Sequence, residues 1–233
     1  MNDLADVVVI ISANAEWQVA RQRLGHQPGN STPFGEMVTT QMLVHDVKKT
    51  VVYFHGGWGK IAAAASTQFA IDRWQPQLLI NLGTCGGLAG DIAIGTIILV
   101  DFTIVYDIIE QMGDPDIALA HYATELDLSW LRNPYPIPVR RDMLLSADRD
   151  IVAGEISTLR TKYGAVAADW ESGAIAYVAT KNGTRCLILR GVSDLVSPDG
   201  GEAYGRLDLF AGRTSELMNR LLDSMPGWLA VAL

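Results

Sequence analysis

Acidic residues stand just past the ends of several apolar runs in this chain, where charge is costly unless something answers it. The segment "AADWESGAIA", residues 167 to 176, sets Asp169, Trp170 and Glu171 among small apolar residues. An unpaired charge buried there costs on the order of several kcal/mol. "LILRGVSD" closes on Ser193 and Asp194, and "VVIISANAEW" carries Asn14 and Glu16 directly behind its apolar run. Two further run ends carry "GGWGK" and "GTCGGLAG". Ligands gather beyond the carboxyl ends of strands in an open α/β sheet, because loops are free there and helix N-termini point that way. Singly, each of these ends reads as a cap or a turn. All of them together point to one cavity.

The elements that would position these residues alternate in kind. "VVVII" (7 to 11) reads as a strand buried on both faces. "NAEWQVARQRLG" follows as a helix, with Asn14 as its cap and Gly25 as its stop. "EMVTTQMLVHDV" and "TVVYFH" read as a strand pair, "KIAAAASTQFAIDRW" as a helix ended by Pro76, and "QLLINLG" as a strand. Behind that strand "GTCGGLAG" reads as flexible backbone able to approach a ligand closely, followed by a strand from Ile92 to Val100. Residues 109 to 138 read as irregular. The alternation resumes with "MLLSA", "EISTLRTKYG", "AVAA", "ESGAIAYVATKNG", "CLILRGVS" and a last helix near "AGRTSELMNRLLDSM". Such alternation predicts an α/β fold with a parallel or mixed sheet covered on both faces. With no linker, repeat or low-complexity tract, residues 1–233 read as a single domain.

Composition narrows the chemistry. The chain has 233 residues, 49% of them hydrophobic, and a formal net charge of −8, which favours a sizeable core and argues against nucleic acid as a partner. No apolar run is long enough for a membrane span, and the N-terminus lacks a basic leader. The two cysteines, Cys85 and Cys186, lie in apolar segments and read as reduced and buried, which suggests the cytoplasm. "HGGWGKI" fails as a phosphate loop, since Phe54 stands where the first glycine belongs and Ile61 where a hydroxyl would hold magnesium. "GTCGGLAG" does not make a dinucleotide fingerprint. No His and Cys residues share metal-ligand spacing, so neither a metal nor a cofactor is expected.

"INLGTCGGLAGDIAIGTIILV", "AADWESGAIAYVA" and "LILRGVSD" resemble, in order and distance, the signature segments of the nucleoside phosphorylase and nucleosidase superfamily. Within it the chain most resembles the 5'-methylthioadenosine/S-adenosylhomocysteine nucleosidases, over nearly its whole length. The resemblance implies a single-domain, three-layer phosphorylase/hydrolase-like fold, with a central mixed sheet flanked by helices. It implies cleavage of a purine N-glycosidic bond, which passes through a ribosyl cation. On the matching positions, Asp194 would be the general acid toward purine N7, held by Ser193. Glu171 would accept the ribose hydroxyls and face the cationic sugar, at the start of a helix whose dipole favours it, and Glu16 would activate water. Gly86, Thr84, Ile151 and Trp170 would line the substrate site.

Phosphorylases resembling this length carry a Gly-Asp-Pro with an arginine after the first strand, where this chain reads "SANAEW". Hydrolysis is therefore the expected reaction. A phosphorylase using Arg21 or Arg23, and a non-catalytic nucleoside-binding protein, are the alternatives. Asp150 stands where the nucleosidases have an aromatic residue, Trp170 replaces a methionine and Thr84 a serine. Base and 5' substituent stay open, as does whether Glu16 or Trp17 takes the catalytic position. The resemblance also implies a homo-oligomer, with a dimer favoured; the irregular 109 to 138 stretch is either the loop that closes a neighbour's pocket or a surface excursion.

Overall fold

Continuous β-branched and leucine runs must be covered on both faces, and here they become the middle of one long sheet. The computed structural model describes residues 4–233. In chain order its strands are β1 (Val7–Ile11), β2 (Gly29–Ser31), β3 (Glu36–Val44), β4 (Val47–His55), β5 (Leu78–Leu88), β6 (Ile97–Val105), β7 (Ala123–Glu125), β8 (Arg140–Ser146), β9 (Ala167–Asp169), β10 (Cys186–Ser197) and β11 (Gly200–Gly201). The helices are α1 (Asn14–Leu24), α2 (Lys60–Trp74), α3 (Pro115–His121), α4 (Ile156–Tyr163), α5 (Ser172–Lys181) and α6 (Leu207–Ala232).

Strand β1 is buried throughout and lies parallel to β4 on one side and β5 on the other. Outward from β4 the sheet continues as an antiparallel wing through β3 and β2. Beyond β5 it closes on itself. Strand β5 pairs with β10, β10 with β6, β6 with β8 and β8 with β9, and β9 returns to β5 at Gly86 and Gly87. Helix α1 packs on α6 and α2 on α5, so helices flank a mixed central sheet, the architecture expected of this chain. Among the described residues no helix is long and apolar enough to cross a membrane.

Several local readings change. "GTCGGLAG" is not a loose turn: Gly83 to Leu88 continue β5, because β10 pairs along its whole length and satisfies the backbone. The next strand starts later than Ile92, at Ile97, after a turn that includes Gly95 at φ 82°. The segment 109 to 138 contains α3 and β7, so it is only partly irregular. Helix α1 is capped at Ala13, one residue before Asn14, and the Ala13 N–H donates to Glu16 Oε2 at 3.3 Å. The last helix is longer than read, with Pro226 inside it.

Leu82, fully buried in β5 between β1 and β10, reports on this centre. Leu82→Ala should cost about 2–5 kcal/mol in denaturant unfolding. Ile61→Ala, at a side chain 85% exposed, should stay within about 0.5 kcal/mol.

Candidate active site

The site is built around a cation that no solvent reaches. Arg190 stands in the apolar strand β10 and is 0% exposed. Its Nε lies 2.9 Å from Asp169 Oδ2, its Nη2 3.6 Å from Glu171 Oε2, and its Nη1 4.0 Å from Glu16 Oε1. Asn81 Oδ1 accepts from Nη2 at 2.8 Å, and Ser172 Oγ accepts from Nε at 2.9 Å. Room for the guanidinium comes from Gly83, which faces Arg190 across the strand pair. A Cβ at Gly83 would overlap Arg190 Nη1 and lie 2.9 Å from Glu16 Oε1.

Each carboxylate is positioned by a different element. Asp169 ends β9 and caps α5, accepting from the Ser172 N–H, the Ser172 hydroxyl and the Ser146 hydroxyl. Glu171 was expected to profit from the start of that helix. It occupies the cap position, yet its side chain makes no cap hydrogen bond and reaches instead to the start of α2, where the Gly59 N–H donates to Oε1 at 3.0 Å. Gly59 has φ 84°, a conformation in which a side chain would be strained. Glu16 accepts from the Thr84 N–H at 2.6 Å and the Thr84 hydroxyl at 2.9 Å. The neighbouring Trp17 turns away, stacking on His55 and donating to Glu36, so Glu16 is the residue that faces the cavity. Asp194 lies further along β10, past a register shift between Val192 and Asp194. The Ser193 hydroxyl donates to its Oδ1 at 2.7 Å.

Glu16, Thr84, Gly86, Ile151, Trp170, Glu171, Ser193 and Asp194 all line one cavity of about 650 Å³. The cavity wall also includes Trp58, Arg149, Asp150, Tyr204 and Phe210. Trp58 and Trp170 meet at 5.2 Å between ring centroids, tilted by 50°. The Tyr204 hydroxyl donates to the Ile151 carbonyl at 2.8 Å. Arg149 is held by both oxygens of Glu155. Arg21 and Arg23 are not among the lining residues: Arg21 binds Glu36 and two carbonyls, and Arg23 pairs with Asp223.

Burial raises the pKa of Glu16, Glu171 and Asp194. Desolvation pushes Glu16 above its ordinary value against the opposing pull of Arg190 and the Thr84 and Ala13 donors. Glu171 is pushed up to about 8 by desolvation, opposed by Arg190 and reinforced by the Asp169 and Glu16 charges. Asp194 is also raised by desolvation, against the Ser193 hydrogen bond. An arrangement of this kind offers a proton donor at Asp194 and two further carboxyl groups, at Glu16 and Glu171, around a ligand-sized space.

Sequence reasoning missed Arg190, Asn81 and Ser172 as parts of this site, and it placed Asp169 at the cavity without giving it a role. The available signal was a lone arginine inside "CLILRGV" and a lone asparagine inside "LLINL", polar groups that a buried strand must partner.

Residues 7–225 match the family model described as Phosphorylase superfamily. A 5'-methylthioadenosine/S-adenosylhomocysteine nucleosidase of Staphylococcus saprophyticus is 29% identical over 196 residues, which cover 78% of this chain and 84% of that protein. The enzyme of the same name from Halalkalibacterium halodurans is 30% identical over 172 residues, covering 67% and 72%. In fold, the chain is similar to the Neisseria meningitidis nucleosidase of that name in complex with methylthio-immucillin-A, with a TM-score of 0.75, 18% identity and coverage of 97% and 99%. It is likewise similar to Arabidopsis thaliana 5'-methylthioadenosine nucleosidase, with a TM-score of 0.74, 22% identity and coverage of 96% and 95%.

Removing the guanidinium exposes the cost it offsets. Arg190→Met leaves three buried carboxylates without their cation and should destabilise the protein by about 3–5 kcal/mol near neutral pH in denaturant unfolding. Without Arg190 the folded-state pKa values of Glu16 and Glu171 stand further above the unfolded ones. A raised carboxylate stabilises the fold below its unfolded pKa and loses that contribution as pH rises through the folded one. The deficit should therefore be largest at alkaline pH and shrink as pH falls to about 8, where Glu171 of the wild-type protein itself takes up a proton.

Proposed function

The chain belongs to the phosphorylase superfamily, and on that footing we propose that it hydrolyses the N-glycosidic bond of a purine nucleoside, a 5'-substituted adenosine of the methylthioadenosine or S-adenosylhomocysteine type, releasing free base. The observation that carries this reading is the convergence of Glu16, Glu171 and Asp194, from α1, the start of α5 and the end of β10, on one cavity.

In this reading Asp194 is the general acid. Its raised pKa favours the protonated form, and the Ser193 bond to Oδ1 leaves Oδ2 for purine N7. Glu171 takes hydrogen bonds from the ribose hydroxyls and sets negative charge beside the developing ribosyl cation. Glu16 is the base that orients and deprotonates water. Its donors from Thr84 and Ala13 favour the carboxylate against burial. Thr84, Gly86, Ile151 and Trp170 contact the substrate. Water is preferred to phosphate because an acid stands where an anion would bind, while Arg21, Arg23 and Arg149 are engaged by other groups.

The same reading makes the chain a homodimer of the cytoplasm. Both cysteines are free and buried, which suits a reducing compartment, and Ile109, Met112 and Ile117 are 80%, 99% and 70% exposed on the stretch that is a candidate for closing a neighbour's pocket. Sedimentation at twice the 25.3 kDa chain mass is the expected result, and a monomer at micromolar concentration contradicts it.

Purified protein should release adenine from methylthioadenosine without phosphate. Release only with phosphate would make it a phosphorylase, and tight binding without release a nucleoside-binding protein. Asp194→Asn and Glu16→Gln should each lower turnover about 10²-fold or more, with a much smaller change in substrate binding. Near-normal turnover in either variant would remove its assigned role.

A further inference from the structure

Three carboxylates share one guanidinium in the buried cluster, and they are not equally supplied with donors. Asp169 accepts from two hydroxyls, a backbone N–H and Arg190 Nε. Glu16 accepts from two backbone N–H groups and a hydroxyl. Glu171 receives the Gly59 N–H alone, with Arg190 Nη2 at 3.6 Å, beyond a good hydrogen bond. Neighbouring charges do not make up the difference. At the start of α2 the Lys60 ammonium is paired with Asp107 and lies 3.9 Å from Asp148, and Arg149 is held by Glu155. The cluster thus holds more carboxylate than its cation neutralises in a medium that penalises the surplus, and Glu171 is the member whose charged form is least supported.

We infer that the unliganded site holds a proton on Glu171 and releases it when a positively charged sugar ring occupies the cavity. The inference rests on the nucleoside reading and deepens it. The carboxyl O–H bond breaks, its electron pair stays on the carboxylate and the proton passes to solvent, with no change in oxidation state. A neutral nucleoside leaves the proton in place, so the carboxylate becomes fully charged only beside the cation it must stabilise. Burial among Asp169 and Glu16 favours the same protonated resting state.

Titration calorimetry in two buffers of different ionisation enthalpy tests this directly. The ligands are a purine nucleoside analogue whose ring amine stays protonated and a neutral C-nucleoside with an ordinary ribose. Near pH 7 the cationic analogue should release about one proton per site and the neutral one none. Affinity for the cationic analogue should rise by up to about tenfold per pH unit and flatten above a pH of about 8, the value to which Glu171 is pushed. Glu171→Gln should abolish the release, and Asp194→Asn should retain it. If Glu171→Gln does not fold, infrared difference spectra of the wild-type protein decide, since the carbonyl band of a neutral carboxylic acid should vanish on binding the cationic analogue. Binding of that analogue without proton release, or without loss of a carboxylic acid band from the difference spectrum, overturns the assignment of the proton. Failure of both analogues to bind overturns the nucleoside reading itself.

Discussion

A guanidinium sealed from water and faced by three acids is the constraint from which the rest of this structure follows. Arg190 cannot shed its charge, so every group around it must be arranged to receive its donors. That requirement explains an asparagine in the middle of β5, a serine at the first position of α5 and a glycine where β5 passes the arginine. It also ties together elements far apart in the chain. Residues 16, 81, 169, 171, 172 and 190 come from α1, β5, β9, α5 and β10, and they meet because a single cation draws them to one place.

The geometry of the cavity and the stability of the fold are therefore coupled. Isolated carboxylates around a cavity would repel one another and lose their charge on burial. With Arg190 beneath them, Glu16 and Glu171 keep fixed directions, and Asp194 sits apart on the same strand with its own hydroxyl partner. Chemically similar side chains thus stand in different environments around one cavity. Asp169 is engaged at once in capping α5 and in holding Arg190, which sets it apart from Glu16, Glu171 and Asp194.

Much of this was legible in the residues. "VVVII" and "CLILRGVS" reveal themselves as strands because they are apolar without alternation, and the polar residues just past them mark where a ligand would sit. Glu16, Glu171 and Asp194 were found in that way, together with the order of the family's segments. What escaped depends on pairing between distant strands. "GTCGGLAG" has the local chemistry of a turn, and only its partnership with β10 makes it a strand. Glu171 has the local position of a helix cap, and only the approach of α2 shows where its carboxylate points. Asn14 has the side chain of a cap, yet the chain begins α1 one residue earlier because the Ala13 N–H is answered by Glu16.

The ring formed by β5, β10, β6, β8 and β9 has a consequence for errors in assembly. At the edge of an open sheet a strand can slide by a residue and turn its side chains to the opposite face at the expense of a single neighbour. Here β10 is gripped between β5 and β6, and β5 is gripped in turn by β9. A one-residue slip of β10 would move Arg190 off Gly83, to face Thr84 or Leu82, and would part the guanidinium from the space that Gly83 leaves for it. Closure thus acts as a proofreading device, under which wrong alignments fail wholesale instead of persisting as slightly faulty enzymes.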